Sequence, residues 1–339
     1  MSSQRPPVGE RFRRFRDRRD AGLTVPPAEF TSYYGRPILK PPVWTWEIAA
    51  YLFTGGLAAG SSLLAAGGQL TGRPAVRRAG RVAALAAVTA STGLLVKDLG
   101  RPERFHHMLR VAKPTSPMSV GTWILAAYGP AAGLAAIAEV APLLPRRGPL
   151  GLARRVLPPV GRVAGLAAAA TAPALGTYTG VLLADTAVPS WHEAYPHLPL
   201  VFAGSALASG AGVGLIAVPP AQAGPARRMA VVGAALELYG AHQLESRLGL
   251  LSEPYRTGRA GWLLRAGRAL TAAGVAGAVL AGRNRSVAVL SGAALLAASV
   301  ATRFGVFRAG VASARDPRYT VLPQRERLER RRAGETPQR

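Results

Sequence analysis

An acid and a phenol occur together at two places in this sequence, each near the end of an apolar segment. Glu47 and Tyr51 are four residues apart, and Tyr178 and Asp185 are seven apart. In a helix, both spacings put the two side chains on one face. A quinone headgroup needs hydrogen-bond donors and acceptors at its two carbonyl oxygens, and a group that exchanges protons with them. The two pairs therefore predict quinone chemistry.

The tryptophans beside Glu47 allow a second interpretation of the same region. Trp44 and Trp46 stand at the start of an apolar run, and Trp and Tyr are enriched at membrane–water boundaries whatever a protein does. On this interpretation the aromatic residues fix only the depth of a helix in the bilayer. The residue types leave both interpretations open.

A short charged segment, residues 98–121, separates two apolar stretches and reads DLGRPERFHHMLRVAKPTSPMSVG. It carries Asp98 together with Arg101, Arg104 and Arg110. Acids and arginines at a membrane boundary are costly unless they serve chemistry or docking. The arginines could serve one of two roles: they could dock a protein partner, or they could bind phospholipid headgroups.

Further ionisable residues lie within or beside the apolar stretches. Because such residues usually have a partner or a function in a membrane, four acids are candidate members of a proton path: Glu139, Asp185, Glu237 and Glu245. The sequence does not connect them to one another.

The histidines and the missing cysteines argue against a resident redox cofactor. A membrane haem usually needs axial ligands that face each other from within spans. His106 and His107 lie past a helix end, His192 and His197 border a loop, and His242 alone is inside a predicted span. With no cysteine in the chain, a cysteine-ligated iron–sulfur cluster has no ligands here. We expect neither haem nor cluster, and no metal site.

The charge distribution indicates a membrane protein rather than a nucleic-acid-binding one. The 339 residues carry a net charge of +25, and 49% of them are hydrophobic. The arginines cluster in residues 5–20 and 315–339 and in strips between apolar stretches, which is typical of inner-membrane proteins. No nucleic-acid-binding motif accompanies them. The first forty residues contain no apolar h-region, so we expect the first span itself to direct insertion.

Eight apolar stretches are long enough to cross a bilayer, whose hydrocarbon core of about 30 Å needs roughly 20 helical residues. The predicted class is therefore all-α integral membrane, with spans near 43–70, 76–98, 117–143, 158–186, 196–218, 227–248, 259–282 and 286–307. We expect them to form a domain over 41–310, between a basic N-terminal tail at 1–40, predicted to be disordered, and a basic tail at 311–339. Lys and Arg near the span ends place both termini in the cytoplasm.

Three long motifs and a shorter one identify a family resemblance. They are YYGRPILKPPVWTWEIAAYLFTGGLAAGS (33–61), DLGRPERFHHMLRVAKPTSPMSVGTW (98–123), YTGVLLADTAVPSWHEAYPHLPLVFAGSA (178–206) and FRAGVASARDPRYTV (307–321). In this order they closely resemble the NrfD/PsrC family of polysulfide-reductase-type membrane subunits. The resemblance covers roughly residues 31–325.

The resemblance implies eight transmembrane helices in two four-helix bundles, without a redox cofactor of the chain's own. Such subunits pair with a ferredoxin-type iron–sulfur protein and often with a molybdopterin-containing catalytic subunit. They pass electrons between those partners and the quinone pool, so menaquinone or ubiquinone is an exchangeable substrate. The quinone pocket lies in the first bundle, near the iron–sulfur partner.

The matching regions here hold Glu47, Tyr51 and Tyr178, and the motif that ends the second span holds Asp98 and Arg101. With Asp185 these form the predicted quinone site. The hypothesis is that Glu47 or Asp98 exchanges protons with the quinone oxygens, while the arginines at 101, 104 and 110 steady negative charge or dock the partner. Some family members have Asn and His where this chain has Glu47 and Tyr51.

Two other functions are compatible with the same pattern. Spans rich in small residues, with scattered buried acids, also occur in solute and ion transporters. A passive anchor that tethers a soluble oxidoreductase without touching quinone is the other alternative. Internal inverted repeats with broken helices would favour transport, and the two halves show only weak hydropathic similarity.

Overall fold

The computed structural model describes residues 36–333 except 281 and 283, so most of the predicted N-terminal tail lies outside the described residues. Nine helices of more than eight residues follow one another in this part of the chain. They are α1 (Trp46–Leu70), α2 (Pro74–Asp98), α3 (Pro117–Ile137), α4 (Gly148–Ala184), α5 (His197–Ala217), α6 (Gly224–Arg247), α7 (Gly258–Leu280), α8 (Arg285–Arg315) and α9 (Arg318–Arg332).

Shorter helical segments connect the long ones. A 3-10 helix, Pro102–Leu109, lies between α2 and α3, and a second one, Ala138–Leu143, extends α3. Single helical turns at Pro189–His192, Gly249–Ser252 and Glu253–Arg256 fill the later connections. The described residues include no strand, so the all-α prediction is confirmed for them.

Seven of the helices are long and apolar enough to cross a membrane, and the chain is a multi-pass membrane protein. They are α1, α2, α3 with its 3-10 extension, α4, α5, α7 and α8. The remaining long helix, α6, matches the predicted span 227–248 in position, but its mean hydropathy is reduced by charged residues such as Arg227, Glu237 and Glu245. The count of eight spans therefore stays a prediction.

The predicted spans differ most from the helices at 158–186 and 286–307. Helix α4 already begins at Gly148, with a proline in its first turn, where the missing N–H costs nothing. Helix α8 continues to Arg315, well beyond the apolar run. In both places an end that contains arginines extends the helix beyond the predicted span. The described part of the predicted C-terminal tail is also helical, as α9.

Consecutive helices pack as pairs, and α1 and α5 lie at the centre. The main contacts join α1 with α2, α3 with α4, α5 with α6, and α7 with α8. Helices α1 and α5 contact each other, and each of them also contacts α4 and α8. The division into two four-helix bundles stays a prediction, because α1 and α5 connect the two halves closely.

Glycines permit the close approach of α1 to α5. A Cβ atom at Gly60 would overlap the carbonyl group of Ala206, and one at Gly210 would overlap the backbone of Gly60. In lipid, such small residues let backbones pack directly.

Short connections make consecutive helices antiparallel, which sorts the loops onto two sides. We call the Glu47 side the one that holds the starts of α1, α3, α5 and α7 and the ends of α2, α4, α6 and α8. The Glu139 side holds the opposite helix ends. The segment 99–116, α9 and the candidate residues Glu47, Asp98 and Asp185 belong to the Glu47 side.

Candidate functional site

Glu47 occupies the first turn of α1, where the helix dipole favours a carboxylate. The side chain is half-buried and accepts a hydrogen bond from Thr45 Oγ1. Lys97, near the end of α2, places its Nζ 3.2 Å from Glu47 Oε1. The same ammonium lies 5.2 Å from the centre of the Trp46 ring, within reach of a cation–π interaction. An acid that the sequence predicts to exchange protons thus lies beside a cation at the start of α1.

The last residue of α2, Asp98, lies in the same place. It is half-buried, and its carboxylate interacts electrostatically with that of Glu47. The structure thus brings together the two acids that the sequence predicts to exchange protons. Lys97 was not among the residues predicted from sequence, although its position next to Asp98 in an otherwise apolar helix end was a signal.

Two phenols lie in the core below this cluster. Tyr51, on the next turn of α1, is 3% exposed, and Tyr178 on α4 is 7% exposed. Both belong to one buried apolar cluster. Gly121 of α3 makes room for Tyr178, because a Cβ there would collide with the tyrosine ring.

The Tyr178 hydroxyl is buried and has no hydrogen-bond partner among the described residues. An unsatisfied buried hydroxyl is unfavourable. Tyr128 on α3 is the contrast, since its hydroxyl lies 2.7 Å from both Ser62 Oγ and the Ala58 carbonyl. Tyr178 is therefore available to bond a ligand, whereas Tyr128 is already satisfied by the protein.

Asp185, another residue of the predicted quinone site, differs from Tyr178 in its surroundings. It follows the last residue of α4 and is exposed, whereas Tyr178 is in the core. It borders a cleft of about 380 Å³ that it shares with His192, Glu193 and Tyr319. The carboxyl group of Asp185 and the phenol of Tyr178, which the sequence predicts to act as a pair, therefore lie in different surroundings.

The arginines at 101, 104 and 110 are all exposed in or beside the 3-10 helix Pro102–Leu109. None of them forms an ion pair with a described acid. The rings of His106 and His107 meet edge to face with their centres 4.4 Å apart. Partial burial, then the charges of Arg110 and His106, lower the pKa of His107. In the described chain, no three His, Asp or Glu side chains are grouped as metal ligands would be.

Glu139 is on the opposite side, held by arginines of α2. Arg77 donates to it at 2.7 and 3.0 Å, and Arg81 at 2.9 Å. Arg81 also donates to Gln69 and to the carbonyls of Ala135 and Gly161. This cluster joins α1, α2, α3 and α4, and its guanidinium groups can donate hydrogen bonds to Glu139 but cannot accept them.

Glu237 and Glu245 lie two turns apart on α6. Glu237 is 3% exposed and accepts hydrogen bonds from Thr302 Oγ1 at 2.6 Å and Thr271 Oγ1 at 3.5 Å. Glu245 forms ion pairs with Arg268 at 2.7 Å and Arg256 at 3.6 Å. A cavity of about 30 Å³ lies between the two acids.

A fully buried arginine, Arg303 on α8, is absent from the residues predicted from sequence. Its Nη2 donates to the Phe202 carbonyl at 2.8 Å, and its guanidinium lies 3.7 Å from the centre of the Phe202 ring. Its Nε and Nη1 have no partner among the described residues. The sequence does contain a signal for this residue, because Arg303 interrupts the apolar run 286–307.

The motifs near the two ends of the chain meet on the Glu47 side. Trp44 stacks on Trp191 with ring centres 6.0 Å apart, and Trp191 contacts Phe307 at 5.8 Å. A Cβ at Gly310 would collide with the Trp191 ring. An open cleft of about 440 Å³ lies between the starts of α1 and α7 and the end of α8.

Comparisons with known proteins agree on one family. The family model described as Polysulphide reductase, NrfD matches residues 38–233. The sequence is also 31% identical over 182 residues to the C subunit of the polysulfide reductase of Wolinella succinogenes. That alignment covers 50% of this chain and 56% of the relative, so the chain spans about half the length of the curated protein it matches.

Proposed function

Because this chain belongs to the polysulphide reductase NrfD family, we propose that it is the quinone-interacting membrane subunit of a multi-subunit oxidoreductase. In this role it passes electrons between an iron–sulfur protein and the quinone pool. The catalytic chemistry at the other end of the electron path belongs to a separate subunit.

The observation that carries this proposal is the cluster of Glu47, Lys97 and Asp98 above two buried phenols. Lys97 pairs with Glu47, and the nearby Asp98 carboxylate repels that of Glu47, so one acid can stay ionised while the other exchanges a proton. The cluster is at the boundary of the membrane, where protons are available from water. Quinone reduction and quinol oxidation need such a group beside an apolar pocket.

Each residue has a defined task in this proposal. Tyr178 donates its free hydroxyl to a quinone carbonyl oxygen, and Tyr51 contributes to the same apolar core. Glu47 or Asp98 exchanges the proton, and Lys97 steadies the ionised form. Asp185, exposed at the end of α4, lines the cleft beside its own loop and does not bind the quinone headgroup in this proposal.

The electron partner is proposed to dock on the Glu47 side. Without cysteine, the chain supplies no ligands for a cysteine-bound cluster, so a ferredoxin-type iron–sulfur subunit brings it. The exposed arginines at 101, 104 and 110 suit an acidic partner surface. A molybdopterin-containing catalytic subunit would then bind beyond the iron–sulfur protein. Both termini and this side face the cytoplasm of an inner membrane.

The proposal is tested with the complete complex in liposomes that contain quinone. Glu47→Gln and Asp98→Asn should lose quinone-dependent turnover, while electron transfer from the catalytic subunit to a soluble dye stays unchanged. Glu103→Gln, an exposed acid of the neighbouring 3-10 helix, is the matched control. Wild-type quinone turnover in both acid variants would refute the proton assignment. If a quinone-site inhibitor also had no effect on the wild-type complex, the chain would be an anchor or a transporter instead.

A further inference from the structure

We infer that Glu237 is a proton-binding site inside the membrane domain, that Arg303 is its buried charge partner, and that water reaches it from the Glu47 side. Glu237, Thr271, Thr302 and Arg303 all lie beyond residue 233, outside the segment that the family model matches. The site itself does not depend on the proposed function, and only its link to turnover does.

The hydrogen-bond partners of Glu237 tolerate both of its protonation states. Thr302 and Thr271 hydroxyls donate to the carboxylate, and each can rotate to accept a hydrogen bond when the acid is protonated. Glu139 is the contrast, because its partners Arg77 and Arg81 can only donate. Of these two acids, Glu237 is therefore the one whose surroundings permit proton exchange.

Arg303 makes the proton count at Glu237 matter electrostatically. Its guanidinium is permanently charged, fully buried, and attracted by Glu237 without forming a direct ion pair among the described contacts. The two charges cancel when Glu237 is ionised, and a positive charge remains when Glu237 is protonated. Protonation therefore changes the net charge of the protein interior by one.

The small cavity provides the access. It is bordered by Glu237 and Thr302 at one end and by Glu245 and Arg268 at the other. About 30 Å³ is enough for one or two water molecules. Because Glu245 lies at the end of α6, the cavity connects the Glu47 side with Glu237. The titratable and charged groups around Glu237 are Arg303 on α8, Arg268 on α7, Glu245 on α6 and Tyr255 in the turn before α7.

Arg303 also reaches the helix that carries the proposed quinone residues. A Cβ at Gly56 of α1 would lie 2.8 Å from Arg303 Nη2. A displacement of α1, or a change of charge on it, therefore affects Arg303 directly, and Glu237 through Arg303. If the chain does handle quinone, this contact couples turnover at Glu47 to protonation at Glu237.

The test is infrared difference spectroscopy of the assembled complex during a pH titration. The wild-type protein should show a protonated-carboxyl band that titrates, and Glu237→Gln should lose it. Glu103→Gln, which removes an exposed acid outside the long helices, should keep the band. Should Glu237→Gln fail to assemble, Glu237→Asp retains a carboxyl and should shift the band. A band unchanged in both Glu237 variants would overturn the site.

A second measurement separates this inference from the quinone assignment. Glu47→Gln should keep the titrating band, even though it is expected to lose quinone turnover. In liposomes, Glu237→Gln should retain quinone turnover and lose the accompanying movement of protons. Full proton movement in Glu237→Gln would refute the coupling.

Discussion

Arg81 on α2 and Glu139 beyond the end of α3 form a 2.9 Å ion pair in which both side chains are almost fully buried, 5% and 6% exposed. The pair lies at the end of the helices opposite Glu47. Further donation from Arg81 to α1 and α4 makes it the centre of a four-helix junction. Glu139 therefore has a structural partner that accounts for its place in an apolar stretch.

Removing one partner of this buried pair should destabilise the protein. We expect Glu139→Gln to cost about 3 to 5 kcal/mol, because Arg81 then stays buried without its counter-charge. Thermal unfolding of the purified protein in mild detergent measures the loss. Arg78→Ala is the control, since Arg78 is 61% exposed and lies 3.7 Å from Glu139, and its loss should cost less than about 1 kcal/mol. Equal effects would contradict the junction.

The two buried tyrosines on α3 and α4 should respond differently to loss of the hydroxyl. Tyr178→Phe removes a group without a partner, so stability should hold or rise, while quinone affinity should fall about fivefold through loss of about 1 kcal/mol. Tyr128→Phe should instead lose about 1 to 3 kcal/mol of stability, because it leaves Ser62 and the Ala58 carbonyl without their bonds. Unfolding and quinone titration together distinguish the two. Unchanged quinone affinity in Tyr178→Phe would remove it from the site.

Removing the exposed arginines of the Glu47 side should weaken the assembly. Arg101, Arg104 and Arg110 replaced together by alanine should reduce affinity for the iron–sulfur subunit about tenfold, since each exposed pair contributes up to about 1 kcal/mol. The effect should shrink at high salt because exposed charges are screened. The control is a variant in which Arg146 and Arg147, exposed on the Glu139 side, are both replaced by alanine. Equal weakening by both sets would argue against docking on this side.

Glycine positions in α1 and α5 should be sensitive to a single methyl group. Gly210→Ala should cost about 1 to 3 kcal/mol, because its Cβ would overlap the backbone of Gly60 and force the helices apart. Gly93→Ala on α2 meets no neighbouring atom, and should gain about 0.5 to 1 kcal/mol through lower backbone freedom of the unfolded chain. Thermal unfolding compares the two. A tolerated Gly210→Ala would mean that α1 and α5 can separate.

Local sequence is sufficient to predict the helices and the position of Glu47. Runs of about 20 apolar residues can satisfy their backbone groups in lipid only as helices, and a long helix indeed lies at each of the eight predicted spans. Glu47 is found in the first turn of α1, as its place before an apolar run predicts. These features depend on neighbouring residues alone.

Which charged side chains meet depends on the packing of the helices. Glu139 and Glu237 look alike in sequence, as acids within apolar stretches, yet one is fixed by arginines of α2 and the other is bonded by threonines of α7 and α8. Likewise, Asp98 reaches Glu47 because α2 returns antiparallel to α1, whereas Asp185 ends on an exposed loop. The partners of a buried charge come from distant parts of the chain, so its role depends on how the helices pack.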